Sequence, residues 1–184
     1  MNFKSNFENE IISLYQIKEE HFEELYSIAS NPIIWEQHPE NDRWKKEKFS
    51  IFLKNGYENK FGFLLIFHKD KKKIIGSTRF YSYDKIDKAI RIGFTFILPE
   101  YWGTSINFQI KKMMLDYAFK YLDKVYFDIG VNNFRSRKAV EKLGASLFEN
   151  NKVGNVVYVL KKIKFINQMS NPYISKNSYI CLNT

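Results

Sequence analysis

The chain has 184 residues, is 45% apolar and carries a formal net charge of +9 at pH 7. This length and apolar content suit one domain with a full hydrophobic core and argue against a second. Lysine supplies most of the positive charge, and the five arginines form neither a clustered groove nor an RNA-binding motif, so we predict no nucleic-acid partner.

The first half of the chain predicts a strand, two helices and a three-stranded meander. Alternating apolar residues indicate the strand over residues 11–17. Apolar residues spaced as on one face of a helix predict helices over residues 19–30 and 43–55. In the second helix we expect three residues to point inward: Phe49, Phe52 and Leu53. The meander strands are predicted at residues 61–68, 73–83 and 89–98.

Residues 98–145 are the most informative stretch, because a strand end, a turn, a long helix, a strand and a second helix follow one another without interruption. The turn covers residues 99–107. The long helix has an apolar stripe at i, i+3, i+4 and i+7, formed by Ile110, Met113, Met114, Tyr117, Ala118, Tyr121 and Leu122. A strand at 125–130 leads to the second helix, which opens at residues 132–136 and ends at Gly144. Both helix N-termini face one edge of the sheet, where their unpaired N–H groups suit a phosphate.

The chain ends with a predicted strand pair, residues 145–149 and 153–160, and a segment without periodicity. Residues 156–160 are apolar, and we interpret this hairpin as an edge that must be covered. A homodimer is one way to cover it. Residues 162–184 break any helical or strand period, which predicts a partly ordered C-terminal extension after a domain of residues 1–161.

Cysteine content and hydropathy exclude several classes of protein. Cys181 is the only cysteine, so we expect neither a disulfide framework nor a metal site. The N-terminus lacks the apolar core of a signal peptide, and the longest apolar stretch, residues 61–67, is far short of a membrane span. We therefore expect a cytoplasmic protein without a membrane partner.

Five separated blocks resemble the GNAT acyl-CoA-dependent N-acetyltransferases, in the branch of ribosomal-protein N-terminal acetyltransferase-like enzymes. They are residues 35–39, 75–79, 92–95, 101–104 and 133–139, in the family's order and spacing. Periodicity alone predicts a mixed α/β sheet with helices on both faces. The resemblance, which covers roughly residues 11–160, implies the GNAT fold, a mixed, mostly antiparallel sheet with helices on both faces.

The same resemblance implies an activity and a co-substrate. An acetyl group would pass from acetyl-CoA to a primary amine of a small molecule or of a protein N-terminus, by direct attack in a ternary complex and without a metal. Two other classes stay open. One is a catalytically weak acyl-CoA-binding sensor or scaffold; the other uses the basic surface to hold an acidic protein or a nucleic acid.

By resemblance, the turn before the long helix would hold the CoA pyrophosphate through Gly103, Thr104, Ser105, Ile106 and Asn107. Ser105 departs from the glycine of the more similar relatives. A Cβ disfavours positive φ and crowds a phosphate, whereas at negative φ the serine costs little. This departure is what gives the sensor interpretation its weight.

The strand before this turn would hold the pantetheine arm through the backbone of Phe96 and Ile97. Gly93 interrupts that strand, and we interpret it as the mark of a β-bulge that splays the strand from its neighbour. The alternative is a glycine that lies beneath an aromatic side chain.

The second helix would supply the catalytic residue. By resemblance, Asn133 would hold the pantetheine amide, and Ser136 would lie near the sulfur and protonate the departing thiolate. The alternative is that Asn132 or Asn133 caps the helix while Ser136 satisfies a nearby N–H. The general base stays open among four side chains and a chain of water molecules; the four are Glu36, His38, Tyr81 and Asp128.

Overall fold

The structure is a computed structural model that describes residues 2–151 and 154–170. The strands are β1 (Phe7–Glu8), β2 (Ile12–Gln16), β3 (Phe63–His68), β4 (Lys73–Asp84), β5 (Ala89–Ile97), β6 (Lys124–Gly130), β7 (Ser146–Asn151) and β8 (Asn155–Lys161). The α-helices are α1 (Phe22–Ala29), α2 (Lys46–Tyr57), α3 (Ile106–Ala118), α4 (Phe134–Glu141) and α5 (Lys162–Met169). No helix within the described ranges is long and apolar enough to cross a bilayer.

The described strands form one sheet in the order β1-β2-β3-β4-β5-β6-β8-β7. Strands β5 and β6 pair in parallel, and every other neighbouring pair is antiparallel. Helices α1 and α2 pack on one face of the sheet, and α3, α4 and α5 on the other. The predicted mixed, mostly antiparallel sheet with helices on both faces is confirmed.

Strand β3 shows why the central strands are apolar on both sides. Phe63 and Leu65 pack with the core of α1 and α2, whereas Leu64 and Ile66 pack with the core of α3 and α4. Residues that alternate between two buried faces read as a continuous apolar run.

The long helix starts and ends earlier than its apolar stripe suggested. It begins at Ile106, inside the predicted turn, and ends at Ala118. Tyr121 therefore leaves the helical face and is 53% exposed, whereas Leu122 is buried by the turn that follows. The inward residues predicted for α2 are confirmed, because Phe49, Phe52 and Leu53 are buried.

Strand β5 contains the predicted bulge. Ser77 of β4 pairs with Phe96 and Arg79 pairs with Gly93, so three steps on β5 oppose two on β4. Phe94 absorbs the extra residue with a φ of +51°. A Cβ on Gly93 would lie 3.0 Å from the Tyr81 ring, so this glycine also lies beneath an aromatic neighbour. Both interpretations of Gly93 therefore hold.

The bulge coincides with the opening of the sheet. Strands β5 and β6 pair only where residues 89–91 face residues 124–126. Beyond that point the two strands separate, although β6 continues to pair with β8 as far as Gly130. A wedge thus opens between β5 and β6, as the bulge prediction requires.

The end of the chain differs from the prediction in strand order. The apolar strand β8 lies between β6 and β7, so β7 is the edge strand and β8 is not. Its apolar residues are thus covered within the sheet, which removes the reason for invoking a partner there. The homodimer stays a prediction without that support.

Helix α5 occupies the start of the predicted C-terminal extension. Its Phe165 is buried and packs on Phe119, with ring centroids 5.3 Å apart. Residues 171–184, including Cys181, lie outside the described residues. The division at residue 161 stays a prediction.

Gly76 is expected to tolerate no side chain. A Cβ there would lie 1.9 Å from the carbonyl oxygen of Phe96 in the neighbouring strand. Gly76→Ala should lower the free energy of unfolding in urea by at least the ~1–3 kcal/mol typical of overpacking. Ser77→Ala is the matched control, because the buried Ser77 hydroxyl has no hydrogen-bond partner among the described residues and its loss should cost little. Equal stabilities of the two variants would contradict this account.

Candidate active site

A cavity of about 400 Å³ occupies the wedge between β5 and β6. The cavity is lined by residues of β5, β6, α3 and α4, by the turn before α3 and by the loop after α1. Seven of the predicted site residues line this cavity: Phe96, Ile97, Gly103, Thr104, Asn107, Asn133 and Ser136. Ser105 and Ile106 do not line it. The sequence thus identified residues that the fold brings together from four separate elements.

The turn before α3 depends on Gly103 and Thr104. Gly103 is exposed and has a φ of +75°, which is favourable only for glycine. The Thr104 hydroxyl donates to the Tyr101 carbonyl at 2.7 Å and accepts from the Ile106 N–H at 3.3 Å. These contacts aim the N-terminus of α3 at the cavity.

Ser105 adopts a φ of −71°. Its Cβ therefore causes no left-handed strain, and its hydroxyl oxygen accepts a hydrogen bond from Gln109 at 3.1 Å. The condition under which serine costs little in this turn is met.

Asn133 and Ser136 have separate roles at the start of α4. The Asn133 side-chain oxygen accepts from the Ser136 N–H at 3.1 Å, so Asn133 is the N-cap, as the alternative interpretation proposed. The Ser136 hydroxyl forms no hydrogen bond with any described residue and faces the cavity. The first part of that interpretation is confirmed, whereas the Ser136 hydroxyl does not satisfy a nearby N–H among the described residues.

The side chains of Asp128 and Tyr81 are hydrogen-bonded to each other. Asp128 accepts from the Tyr81 hydroxyl at 2.8 Å and from the Arg91 guanidinium on its other oxygen. Burial, reinforced by the Asp128 charge, raises the pKa of Tyr81. Tyr81 thus stays protonated at neutral pH, and Asp128 is engaged by two donors.

His38 lines the cavity, but Glu36 does not. Burial, followed by the charge of Arg43, lowers the pKa of His38 to about 4. One of its ring nitrogens accepts from the Glu40 N–H at 2.9 Å. His38 is therefore a neutral ring with little basicity.

Lys111 lines the cavity and was missed in the sequence. It is 6% exposed, and its amine donates to the hydroxyls of Thr95 and Thr78. Burial lowers its pKa to about 7. A signal was present, because Lys111 shares an i, i+3, i+7 face with the apolar Met114 and Ala118.

Basic residues of α4 border the cavity near the α3 N-terminus. Arg135, Lys138 and Lys142 line it, and the Arg135 guanidinium carbon lies 3.5 Å from the centroid of the Trp102 ring. Stacking holds the charge of Arg135 at this wall. Together with the α3 N-terminus, this wall suits anionic groups such as phosphates.

The loop after α1 also lines the cavity, through Trp35, His38 and Arg43. Trp35 is buried, and its indole N–H donates to the Ala29 carbonyl at 2.7 Å. The Arg43 guanidinium carbon lies 5.2 Å from the Trp35 ring centroid. Pro39 of the same loop packs so closely on β6 that a Cβ on Gly130 would approach it to 2.7 Å.

The chain is similar to known proteins, both in sequence and in structure. The family model "Acetyltransferase (GNAT) domain" matches residues 12–146. A GCN5-related N-acetyltransferase from Brucella melitensis superposes with a TM-score of 0.77 at 16% identity, over 90% of this chain and 82% of that one. No curated protein sequence matches the chain.

Two structures from Vibrio cholerae are also similar. A spermidine N-acetyltransferase in complex with CoA and spermine gives a TM-score of 0.65 at 18% identity, over 86% of this chain and 100% of that one. A putative ribosomal-protein-serine acetyltransferase gives 0.69 at 13% identity, over 88% and 99%. The family match spans most of the chain, and the wedge, the bulge and the α3 turn lie within the matched residues. The chain therefore belongs to the GNAT acetyltransferase family.

Proposed function

We propose that the chain transfers an acetyl group from acetyl-CoA to a primary amine of a small molecule or of a protein N-terminus. The observation that carries this proposal is the wedge beside the β5 bulge, whose cavity is lined both by the turn before α3 and by the loop after α1. A donor bound along the first of these walls and an acceptor bound along the second would meet directly in one cavity. The related spermidine enzyme, solved with CoA and a polyamine, supports both substrate classes.

Acetyl-CoA fits the charges and shape of the cavity. In this proposal the turn of residues 103–107 and the α3 N-terminus hold the pyrophosphate, with Arg135 and Lys138 as neighbouring cations. The backbone of Phe96 and Ile97, which line the cavity, pairs with the pantetheine arm, because β6 pairs with β5 only at residues 89–91 among the described residues. The side-chain N–H₂ of Asn133 remains available to a pantetheine carbonyl while its oxygen caps α4.

The reaction requires three tasks: the acceptor amine loses a proton, the developing oxyanion is stabilised, and the sulfur gains a proton. A backbone N–H of the bulged part of β5 polarises the thioester carbonyl. Ser136 protonates the departing thiolate directly or through water. The proton that the acceptor amine loses must go to a base, and Lys111 lines the same cavity.

The sensor interpretation depended on Ser105. Since Ser105 has a negative φ and its oxygen is engaged by Gln109, the turn carries no strain that would argue against CoA binding. Within the family, the ribosomal-protein N-terminal acetyltransferase-like branch remains our proposal for the kind of relative, with a protein N-terminus among the acceptors.

Acetyl-CoA is expected to stabilise the protein against heat. At a concentration of a hundred times Kd, a ligand that binds only the folded state adds about 2.7 kcal/mol to the free energy of unfolding. A rise in Tm that survives high salt distinguishes this binding from polyanion contacts, which salt removes. Heparin is the control ligand, and stabilisation by heparin but not by acetyl-CoA would contradict the proposal.

A turnover screen then tests the activity itself. Purified protein is incubated with acetyl-CoA and spermidine, a serine-initiated peptide or an amino sugar, and released CoA thiol and acetylated product are both measured. We expect one class of acceptor to give turnover above the hydrolysis of acetyl-CoA alone. Tight acetyl-CoA binding without turnover on any amine would favour the sensor alternative.

A further inference from the structure

Lys111 is a buried lysine that has no acidic partner in residues 2–151 and 154–170. Its ammonium nitrogen would carry three N–H donors, but among the described residues only two acceptors lie within reach, the hydroxyls of Thr78 on β4 and Thr95 on β5. Thr78 and Thr95 also contact each other at 2.7 Å, and Thr78 reaches the Met114 sulfur at 3.6 Å. The two threonines are therefore fixed in place beneath the amine.

This arrangement leaves one position on the Lys111 nitrogen open toward the cavity. In the neutral amine the two N–H groups donate to the threonines, and the third position is a lone pair. Among the described residues, the side chains that the amine contacts are Thr78 of β4 and Thr95 of β5, neither of which titrates near neutral pH. The pKa of about 7 thus arises from burial alone, and no charged neighbour of the described residues contributes to it.

We propose that Lys111 is the general base that removes the proton from the acceptor amine. This inference rests on the proposed acetyl transfer. An amine that is half neutral at pH 7 and lines the cavity has the basicity that general-base catalysis favours. Thr95 follows the bulge residue Phe94 directly, so Lys111 is anchored at the part of β5 whose backbone is assigned to the thioester carbonyl.

The other candidates are poorer bases. His38 is unprotonated at neutral pH, but its pKa of about 4 makes it too weak a base to take a proton from an amine efficiently. Tyr81 is protonated and donates to Asp128, and the Asp128 carboxylate is engaged by Tyr81 and Arg91. Glu36 does not line the cavity. Of these four side chains only His38 and Asp128 line the cavity; His38 is a weak base, and each oxygen of Asp128 already accepts a hydrogen bond, one of them from the charged Arg91.

The proton balance closes with Lys111 in this role. Lys111 takes one proton from the acceptor ammonium, and the neutral amine then forms the N–C bond while the C–S bond breaks. The acceptor nitrogen loses its second proton as the amide forms, and the sulfur gains one proton through Ser136 or water. These two protons balance. One proton remains on Lys111, which returns it to solvent before the next turnover.

The test combines a pH profile with two substitutions. With spermidine, or with the serine-initiated peptide if that is the faster acceptor, kcat/KM of the unmodified protein should fall about tenfold per pH unit below pH 7 and level off above it. Lys111→Met should lower kcat/KM at pH 7.5 by about 10²–10⁴-fold. In this variant the rise of kcat/KM with pH should follow the pKa of the acceptor amine itself, and no longer the pKa of Lys111. Lys111→Arg keeps a charge but no basicity at this pH, so it should lose as much.

The matched control is Lys112→Met. Lys112 is the next residue, its side chain is 43% exposed, and it pairs with Asp116 at 2.7 Å on the helix surface. This variant should keep both the rate and the limb near pH 7. Equal affinity of all variants for acetyl-CoA, measured by calorimetry, verifies that they fold and bind the donor.

A measurement without turnover gives an independent answer. Trace labelling with acetic anhydride across pH, followed by peptide mass spectrometry, reports when each lysine becomes a neutral nucleophile. Lys111 should reach half its full reactivity near pH 7, whereas exposed lysines do so above pH 10. A Lys111 midpoint above 10, or a limb near pH 7 that persists in Lys111→Met, would overturn the base while leaving acetyl transfer intact. A protein that binds acetyl-CoA but acetylates no amine would overturn the proposed function, and Lys111 as its base with it.

Discussion

Ser136→Ala is expected to lower kcat by up to about 10²–10⁴-fold while leaving the Kd for acetyl-CoA nearly unchanged, because general-acid assistance contributes in that range. The Ser136 hydroxyl faces the cavity one turn into α4 and has no hydrogen-bond partner among the described residues. Its removal should therefore cost the fold little. Steady-state kinetics with saturating acetyl-CoA and calorimetry on the same preparations measure the two quantities separately.

Asn133→Ser is the companion variant. Serine keeps an oxygen that can cap α4, which Asn133→Ala would lose at a cost of about 0.5–2 kcal/mol, but it lacks the amide N–H₂ that we assign to pantetheine. Its first effect should be a higher Kd for acetyl-CoA, the reverse of the Ser136 pattern. If Ser136→Ala lowers Tm and leaves kcat intact, the hydroxyl has a structural role instead.

The parts of the fold that follow local rules could be predicted from the sequence. The 3.6-residue spacing of Phe49, Phe52 and Leu53 identified the buried face of α2, and Gly144, with its φ of +93°, marks the end of the α4 segment as predicted. Strand limits were within a few residues for the meander because turn residues bound each strand. These signals come from residues that are close together in the chain, so they can be recognised without knowledge of the tertiary packing.

Strand order was not accessible in the same way. Both faces of β8 are buried, and its apolar run is compatible with an edge covered by a partner or with a central strand. Only the pairing of β8 with β6 decides between them, and that pairing joins segments about thirty residues apart in the chain. Helix α5 was missed for a related reason, since the burial of Phe165 against Phe119 stabilises a helix that local pattern alone does not predict.

The site was predicted through the resemblance more than through residue chemistry. Gly103, Asn133 and Ser136 were identified because separated motifs matched a family, and the fold brings them to one cavity. Lys111 was overlooked because a lysine on a helix is usually solvated. Its burial depends on Thr78 and Thr95, which lie in other elements and, within the described part of the chain, supply the polar contacts that make a buried amine tolerable.

The second large effect is expected at Gly103, which lies at the turn assigned to the pyrophosphate. Gly103→Pro should abolish acetyl-CoA binding at concentrations up to a hundred times the unmodified Kd, because proline fixes φ near −65° where this turn requires +75°. Proline also removes a backbone N–H from the site that anchors the phosphates. Since Gly103 is exposed and precedes α3, the variant should retain its sheet, which circular dichroism can verify.

Two milder substitutions in the same turn should weaken acetyl-CoA binding to a smaller extent. Gly103→Ala has space for its Cβ, since nothing lies within 4 Å, and should weaken binding only by the roughly 1–2 kcal/mol that a left-handed φ costs a non-glycine residue. Thr104→Ala loses two contacts within the turn and should also weaken binding without abolishing it. Calorimetry with acetyl-CoA and with a pantetheine thioester that lacks the pyrophosphate separates the two ends of the ligand. Equal affinity for both ligands, or unchanged binding by Gly103→Pro, would mean that the phosphates are held elsewhere than at the N-terminus of α3.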